Sequence, residues 1–170
     1  MPRTPRPPSG LRRMMFRVPI LVFRARLGWV FGHRLVLVNH RGRKTGRPRQ
    51  VVVEVAARDR TTGAVTVASG YGSHSDWFRN LLVAPETTIE VGVRRLDVRA
   101  VPLSPEEGGE VMVDYARRHR LSATVLASYL RYDVDGGSAD GYRALGHEIP
   151  FVRFEPMPAR AGGMSGDRIG

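Results

Sequence analysis

Within eight positions, Gly42-Arg43-Lys44-Thr45-Gly46-Arg47-Pro48-Arg49 gathers four cations and a hydroxyl and brackets them with glycine. Guanidinium groups present forked donors to phosphate or carboxylate, an ammonium presents a point charge, and glycine lets backbone N–H groups come close to a ligand. The stretch reads as an anion site. Lys44 is the one lysine in a chain with 26 arginines. Further candidate chemistry is sparse. His33, His40, His74, His119 and His147 show no metal-ligand spacing and read as scattered polar residues. Ser73-His74-Ser75-Asp76 is too local for a hydrolase triad, and Asp133-Val134-Asp135-Gly136 has Ala144 where a calcium loop needs its bidentate glutamate.

The elements that position the cationic stretch are short and β-rich. Leu35–Val38 and Val51–Val55 flank it as adjacent strands, and Ala64–Ala68 follows after a turn at 59–63. Ser75 or Asp76 can cap a short helix carrying Trp77, Phe78, Leu81 and Leu82, which Pro85 ends. Thr87–Val91 and Leu96–Val101 form a hairpin about Gly92-Val93-Arg94-Arg95. Ser104-Pro105-Glu106-Glu107 starts a helix over 106–119, with Gly108 and Gly109 weakening its first turns. A second helix is expected over 122–131 and a short one around Tyr142, before a last strand at Ile149–Phe154. The order predicts a mainly β, α+β protein, an antiparallel barrel-like sheet with helices grouped at its ends, and argues against alternating βαβ units. No Gly-x-Gly-x-x-Gly opens a helix, and the Gly42 loop lacks the leading glycine and following helix of a Walker loop.

At 170 residues with 42% hydrophobic content, the chain has the size of one domain with a closed core. Residues 1–9 read as a disordered tail, 10–156 as a single domain whose first part, 10–31, is an amphipathic helix broken near Pro19, and 157–170 as a second disordered tail. The absence of cysteine excludes thiolate chemistry and suits a cytoplasmic protein. Arginines interrupt the apolar run at 14–31, which therefore fits neither a spanning helix nor a signal peptide. The net charge of +11 is unevenly placed. The first 53 residues hold 13 Lys or Arg and no acid, the remainder 14 basic and 16 acidic residues. The basic helix face keeps peripheral contact with the inner face of the cell membrane open. Nucleic acid is disfavoured, because only Phe16, Phe23, Trp29 and Phe31 interleave the basic segment.

Four motifs in unbroken order, Gly42 to Arg49, Val67-Ala68-Ser69-Gly70, Asp76-Trp77-Phe78-Arg79-Asn80-Leu81 and Glu148-Ile149-Pro150, resemble the deazaflavin-dependent nitroreductase and quinone reductase family. The resemblance implies a split β-barrel related to oxidoreductases that bind flavin mononucleotide (FMN). It also implies hydride transfer from the reduced deazaflavin coenzyme F-420 to a quinone, enone or nitro compound. Carried over by motif, it places the coenzyme's phosphate and acidic tail at Arg43, Lys44, Thr45, Gly46 and Arg49. It places the ring near Ala68, Ser69 and Gly70, with Trp77, Phe78 and Asn80 closing the pocket. Ser69, Tyr71 and Tyr142 are the expected proton donors or substrate contacts, and Tyr129, Tyr132 and Tyr142 the expected substrate side. The chain departs from the family there, since 133–141 reads as an insertion and Gly70-Tyr71 replaces the family's lysine after Ala68-Ser69. A homodimer is implied by the resemblance alone. FMN as the ligand, and a non-catalytic flavin, deazaflavin or lipid carrier of the same fold, are the alternatives.

Overall fold

The computed structural model describes residues 33–158. The expected helix at 10–31, the tail at 1–9 and most of the tail at 157–170 lie outside the described residues, although Met157 still donates its N–H to Asp97.

Six strands line a common interior, those at 86–91 and 94–102 by a plain alternation of apolar and polar residues and that at 35–41 with a continuous apolar start at Leu35–Val38. They are β1 (Leu35–Arg41), β2 (Pro48–Arg58), β3 (Val65–Ala68), β4 (Glu86–Val91), β5 (Arg94–Pro102) and β6 (Phe151–Pro156). All pairings are antiparallel, in the closed order β1-β2-β3-β6-β5-β4 with β4 back on β1. Closure leaves no strand edge exposed. The interior holds Val36, Val38, Val65, Val67, Ile89, Val91, Val98, Ala100, Val152 and Phe154, and helix α1 (Asp76–Val83) adds Trp77, Phe78 and Leu81 to the same cluster. Ser75 sits at the start of α1 as expected, but its hydroxyl pairs with Ser69 and not with the helix backbone.

A second cluster joins α2 (Pro105–Arg118), α3 (Arg120–Tyr129) and α4 (Ala139–Glu148) to Ala56, Ile149 and Phe151. The start of α2 is fixed by a reciprocal cap. Ser104 Oγ accepts from Glu107 N at 3.2 Å, and the Glu107 carboxylate accepts from Ser104 N at 3.0 Å. Gly108 and Gly109, expected to weaken the first turns, lie within the formed helix and let it approach α4. A Cβ on Gly146 would stand 2.5 Å from the Gly108 carbonyl oxygen, and one on Gly109 would stand 2.6 Å from the His147 ring. The two helices meet backbone to backbone. The helical layer packs on β2 through Ala56 and on β6 through Phe151, beside the barrel that carries the cationic loop.

Candidate functional site

The loop between β1 and β2 closes on its own backbone. Gly42 N donates to Arg47 O at 2.9 Å, while Gly42 O accepts from Thr45 N at 3.1 Å and Gly46 N at 2.7 Å. Gly46 takes φ +63°, a left-handed conformation that glycine adopts without penalty. At Gly42 the need is space. A Cβ there would lie 2.8 Å from Thr45 Oγ1 and 3.1 Å from Arg49 Nε.

Helix α1 clamps this turn from one side. Asn80 Oδ1 accepts both the backbone N–H of Arg43, at 3.0 Å, and its Nη1, at 3.1 Å. Asp76 Oδ1 accepts from the same Nη1 at 2.8 Å. Asn80, 2% exposed, also pairs through Nδ2 with His40 Nδ1 at 3.0 Å. The guanidinium of Arg43 is therefore held in one place before any ligand arrives. Around it Gly42, Arg43, Lys44, Thr45, Arg49, Asp76 and Asn80 line a cavity of about 230 Å³.

The electrostatics of the cavity are one-sided. Among the described residues Lys44, Arg47 and Arg49 form no ion pair, so their charge is directed at solvent and at the cavity. Asp76 is the acidic wall residue, and its carboxyl is held below the ordinary range, first by the hydrogen bond from Arg43 and then by the surrounding arginines. His40 faces Arg49 across the β1–β2 ladder. Burial, with the Arg49 charge added and Asp76 opposing, lowers its pKa from 6.5 to about 4. It is a neutral imidazole at physiological pH.

Of the coenzyme residues expected from sequence, Arg43, Lys44, Thr45, Arg49 and Asn80 come together around the cavity, and Gly46 shapes its loop. Trp77 and Phe78 do not line it. They meet edge to face at 6.1 Å and belong to the barrel interior. Ala68 packs against the helical cluster, and Ser69 is enclosed, with its Oγ 2.8 Å from both the Gly72 carbonyl, to which it donates, and Ser75 Oγ. Gly70 borders open space and Tyr71 begins the next turn. None of the three candidate substrate tyrosines reaches the cavity wall. Tyr142 is buried in the helical cluster 3.3 Å from Thr124 Oγ1, Tyr132 packs against that cluster, and Tyr129 is exposed on α3.

Gly42, Asp76 and His40 were not among the expected site residues. His40 is more than a scattered polar residue, since it is buried to 8% exposure and bonded into the clamp. Its signal was available in the alternation, because Val36, Val38 and His40 share one parity of β1 and the first two face the barrel interior.

A family model described as F420H(2)-dependent quinone reductase matches residues 23–135, which include the loop, its clamp and five of the six strands entirely. The chain belongs to that family. Members are reductases named for the reduced deazaflavin coenzyme, so the cationic loop and the family's anionic cofactor agree. A Mycobacterium tuberculosis protein provisionally named F420H(2)-dependent quinone reductase Rv3178 is 33% identical over 72 residues. The match covers 42% of this chain and 60% of that relative, less than two thirds of its length. Two solved structures share the fold. A pyridoxamine 5'-phosphate oxidase-related, FMN-binding protein from Nostoc punctiforme is 10% identical with a TM-score of 0.50, covering 87% of this chain and 81% of its own. A protein of unknown function from Agrobacterium tumefaciens is 13% identical with a TM-score of 0.53, covering 89% of this chain and 59% of its own. They establish the split-barrel architecture and nothing of the ligand.

Proposed function

We propose that this chain is an F-420-dependent oxidoreductase that binds the coenzyme's anionic portion in the Arg43 to Arg49 loop and reduces a small hydrophobic acceptor of the quinone class. The observation that carries the reading is the clamped Arg43 beside Lys44 and Arg49, which have no counter-ion among the described residues. A phosphate with a carboxylate tail fits that donor set, since charge-assisted hydrogen bonds to fixed cations contribute about 1.5–3 kcal/mol each. The cavity suits the phosphate end of such a ligand and not its ring. When bound in its reduced form, the deazaflavin supplies a hydride.

The chain's own residues bind and orient. Arg43, Lys44, Thr45 and Arg49 hold the anion, and the open surface at Gly70 leaves room for a planar group next to β3. Tyr71, which follows Gly70 at the turn after β3, is the first hydroxyl to test as a proton donor because of that position, with Ser69, Tyr142 and solvent as the alternative sources. Enone and nitro acceptors share the requirement for a hydride at an electron-poor carbon or nitrogen and belong to the same screen. Titration of full-length protein with F-420 and with FMN, followed by anaerobic mixing of the reduced coenzyme with a naphthoquinone, tests the reading. Deazaflavin preference with quinone-dependent oxidation supports it. Binding without oxidation by any acceptor makes the protein a carrier, and preference for FMN moves it to another cofactor.

A further inference from the structure

The clamp on Arg43 depends on which way the Asn80 amide points, and a carboxamide can point either way. Two donors of Arg43, its backbone N–H and Nη1, converge on one end of Asn80 at 3.0 and 3.1 Å. Only an oxygen can receive both. The NH₂ group must then face His40 Nδ1, 3.0 Å away, and that nitrogen must offer a lone pair. The imidazole proton consequently resides on Nε2. A proton on Nδ1 would instead face the Asn80 amide with donor against donor, and turning the amide would set its NH₂ against Arg43.

We infer that His40 is a positioning residue which, as the Nε2–H tautomer, fixes the orientation of Asn80 and through it the place of Arg43 in the anion cradle. His40 touches neither the cavity nor any ligand in it; it acts at one remove through Asn80. Its site on β1 is held by pairing with β2, where His40 lies opposite Arg49, and the same strand is paired to β4 just before it, at Val36–Val38. The latch therefore ties the barrel wall to α1 and to the loop at one point. Asn80 is nearly sealed from water, so an amide left without its imidazole acceptor loses the preference that keeps its oxygen on Arg43. The consequence for coenzyme affinity rests on the proposed function. The latch does not.

Three readings on full-length protein test it. Long-range ¹H–¹⁵N correlation of the ligand-free protein should show His40 protonated at Nε2 alone. Amide exchange of Arg43, protected by Asn80 Oδ1, should quicken about five- to tenfold in His40→Ala relative to barrel amides such as Val67, and return in His40→Asn, whose carboxamide oxygen can replace the lost acceptor. F-420 affinity should fall by a similar factor in His40→Ala and recover in His40→Asn. A proton on Nδ1 would overturn the inference. So would Arg43 exchange that is unchanged in His40→Ala, or that rises only together with all barrel amides. If wild-type protein fails to bind F-420, the proposed function falls, while the tautomer and exchange measurements still decide the latch.

Discussion

Acid should weaken this fold through His40 before most carboxylates protonate. The folded protein holds His40 at a pKa of about 4 against 6.5 for the free side chain, chiefly because burial disfavours the cation and Arg49 repels it, with Asp76 partly offsetting both. Asn80 bonds it directly, and Arg43 lies beyond Asn80 on the amide's other end. A lowered histidine pKa means that the unfolded chain binds the extra proton first. Stability attributable to this group is therefore intact above pH 6.5 and declines as the pH falls from 6.5 toward 4. Each tenfold change in proton affinity is worth about 1.4 kcal/mol, so the full decline is about 3 kcal/mol. Below pH 4 the lowered carboxyls of Asp59, Asp76, Glu106, Glu107 and Glu110 take over, since each loses its native advantage as it protonates. Urea unfolding of wild type and His40→Asn at intervals from pH 7.5 to 4 isolates the effect, because the asparagine keeps an acceptor for Asn80 and cannot titrate. The wild-type curve should drop below the variant's by about 3 kcal/mol across that window. Parallel curves would show that His40 is not held neutral by its surroundings, and the charge assignment of the clamp would fail with it.

Lys44→Ala and Arg49→Ala should each weaken F-420 binding about 10- to 100-fold, the worth of one charge-assisted hydrogen bond, and should shift little in urea midpoint because neither side chain is ion-paired among the described residues; coenzyme fluorescence titration reads the first and circular dichroism the second. Gly146→Ala should destabilise by about 1–2 kcal/mol despite alanine's better helix propensity, because its Cβ would meet Gly108 O at 2.5 Å and Met112 Cβ at 2.7 Å, and the α2–α4 contact would have to open. Ser104→Ala should cost about 1 kcal/mol by removing the cap at α2, measurable as a lowered midpoint with an unchanged denaturant slope.

The barrel was legible because β4 and β5 announce themselves by period-two alternation, β1 to β3 by apolar and β-branched runs, and the turns between strands by their glycines. Even so, β2 runs to 11 residues where the sequence marked five, since the polar ends Pro48–Gln50 continue the ladder with Asn39–Arg41 without adding apolar residues. The cationic loop was legible for a different reason: arginines between glycines have few structural uses. Trp77 and Phe78 were harder, because an aromatic beside a site motif reads the same whether it faces a ligand or the core, and here the core takes both. Gly108, Gly109 and Gly146 carry no one-dimensional sign of the helix contact they permit. His40 was the most costly omission. A lone histidine gives no metal spacing and no triad, and its role appears only when α1, distant in sequence, brings Asn80 to it.

The division of labour in the clamp fits what the proposed anion site would have to avoid. Arg43 could have been fixed by buried carboxylates, but each would have cancelled part of the field meant for the ligand. Asn80 and a neutral His40 supply acceptors and no negative charge, so they locate the guanidinium at little electrostatic loss. Asp76 is the exception, and its side chain is 72% exposed, where water screens it and where its Nη1 contact supplements the Asn80 bonds to Arg43. Backbone closure of the loop by Gly42 and Gly46 does the rest, holding Lys44, Arg47 and Arg49, which form no ion pair among the described residues, near the clamped Arg43. On the proposed reading, the cations beyond the Arg43–Asp76 pair repel one another until an anion enters, and that standing repulsion would favour a charged ligand before any contact with a ring or an acceptor is made.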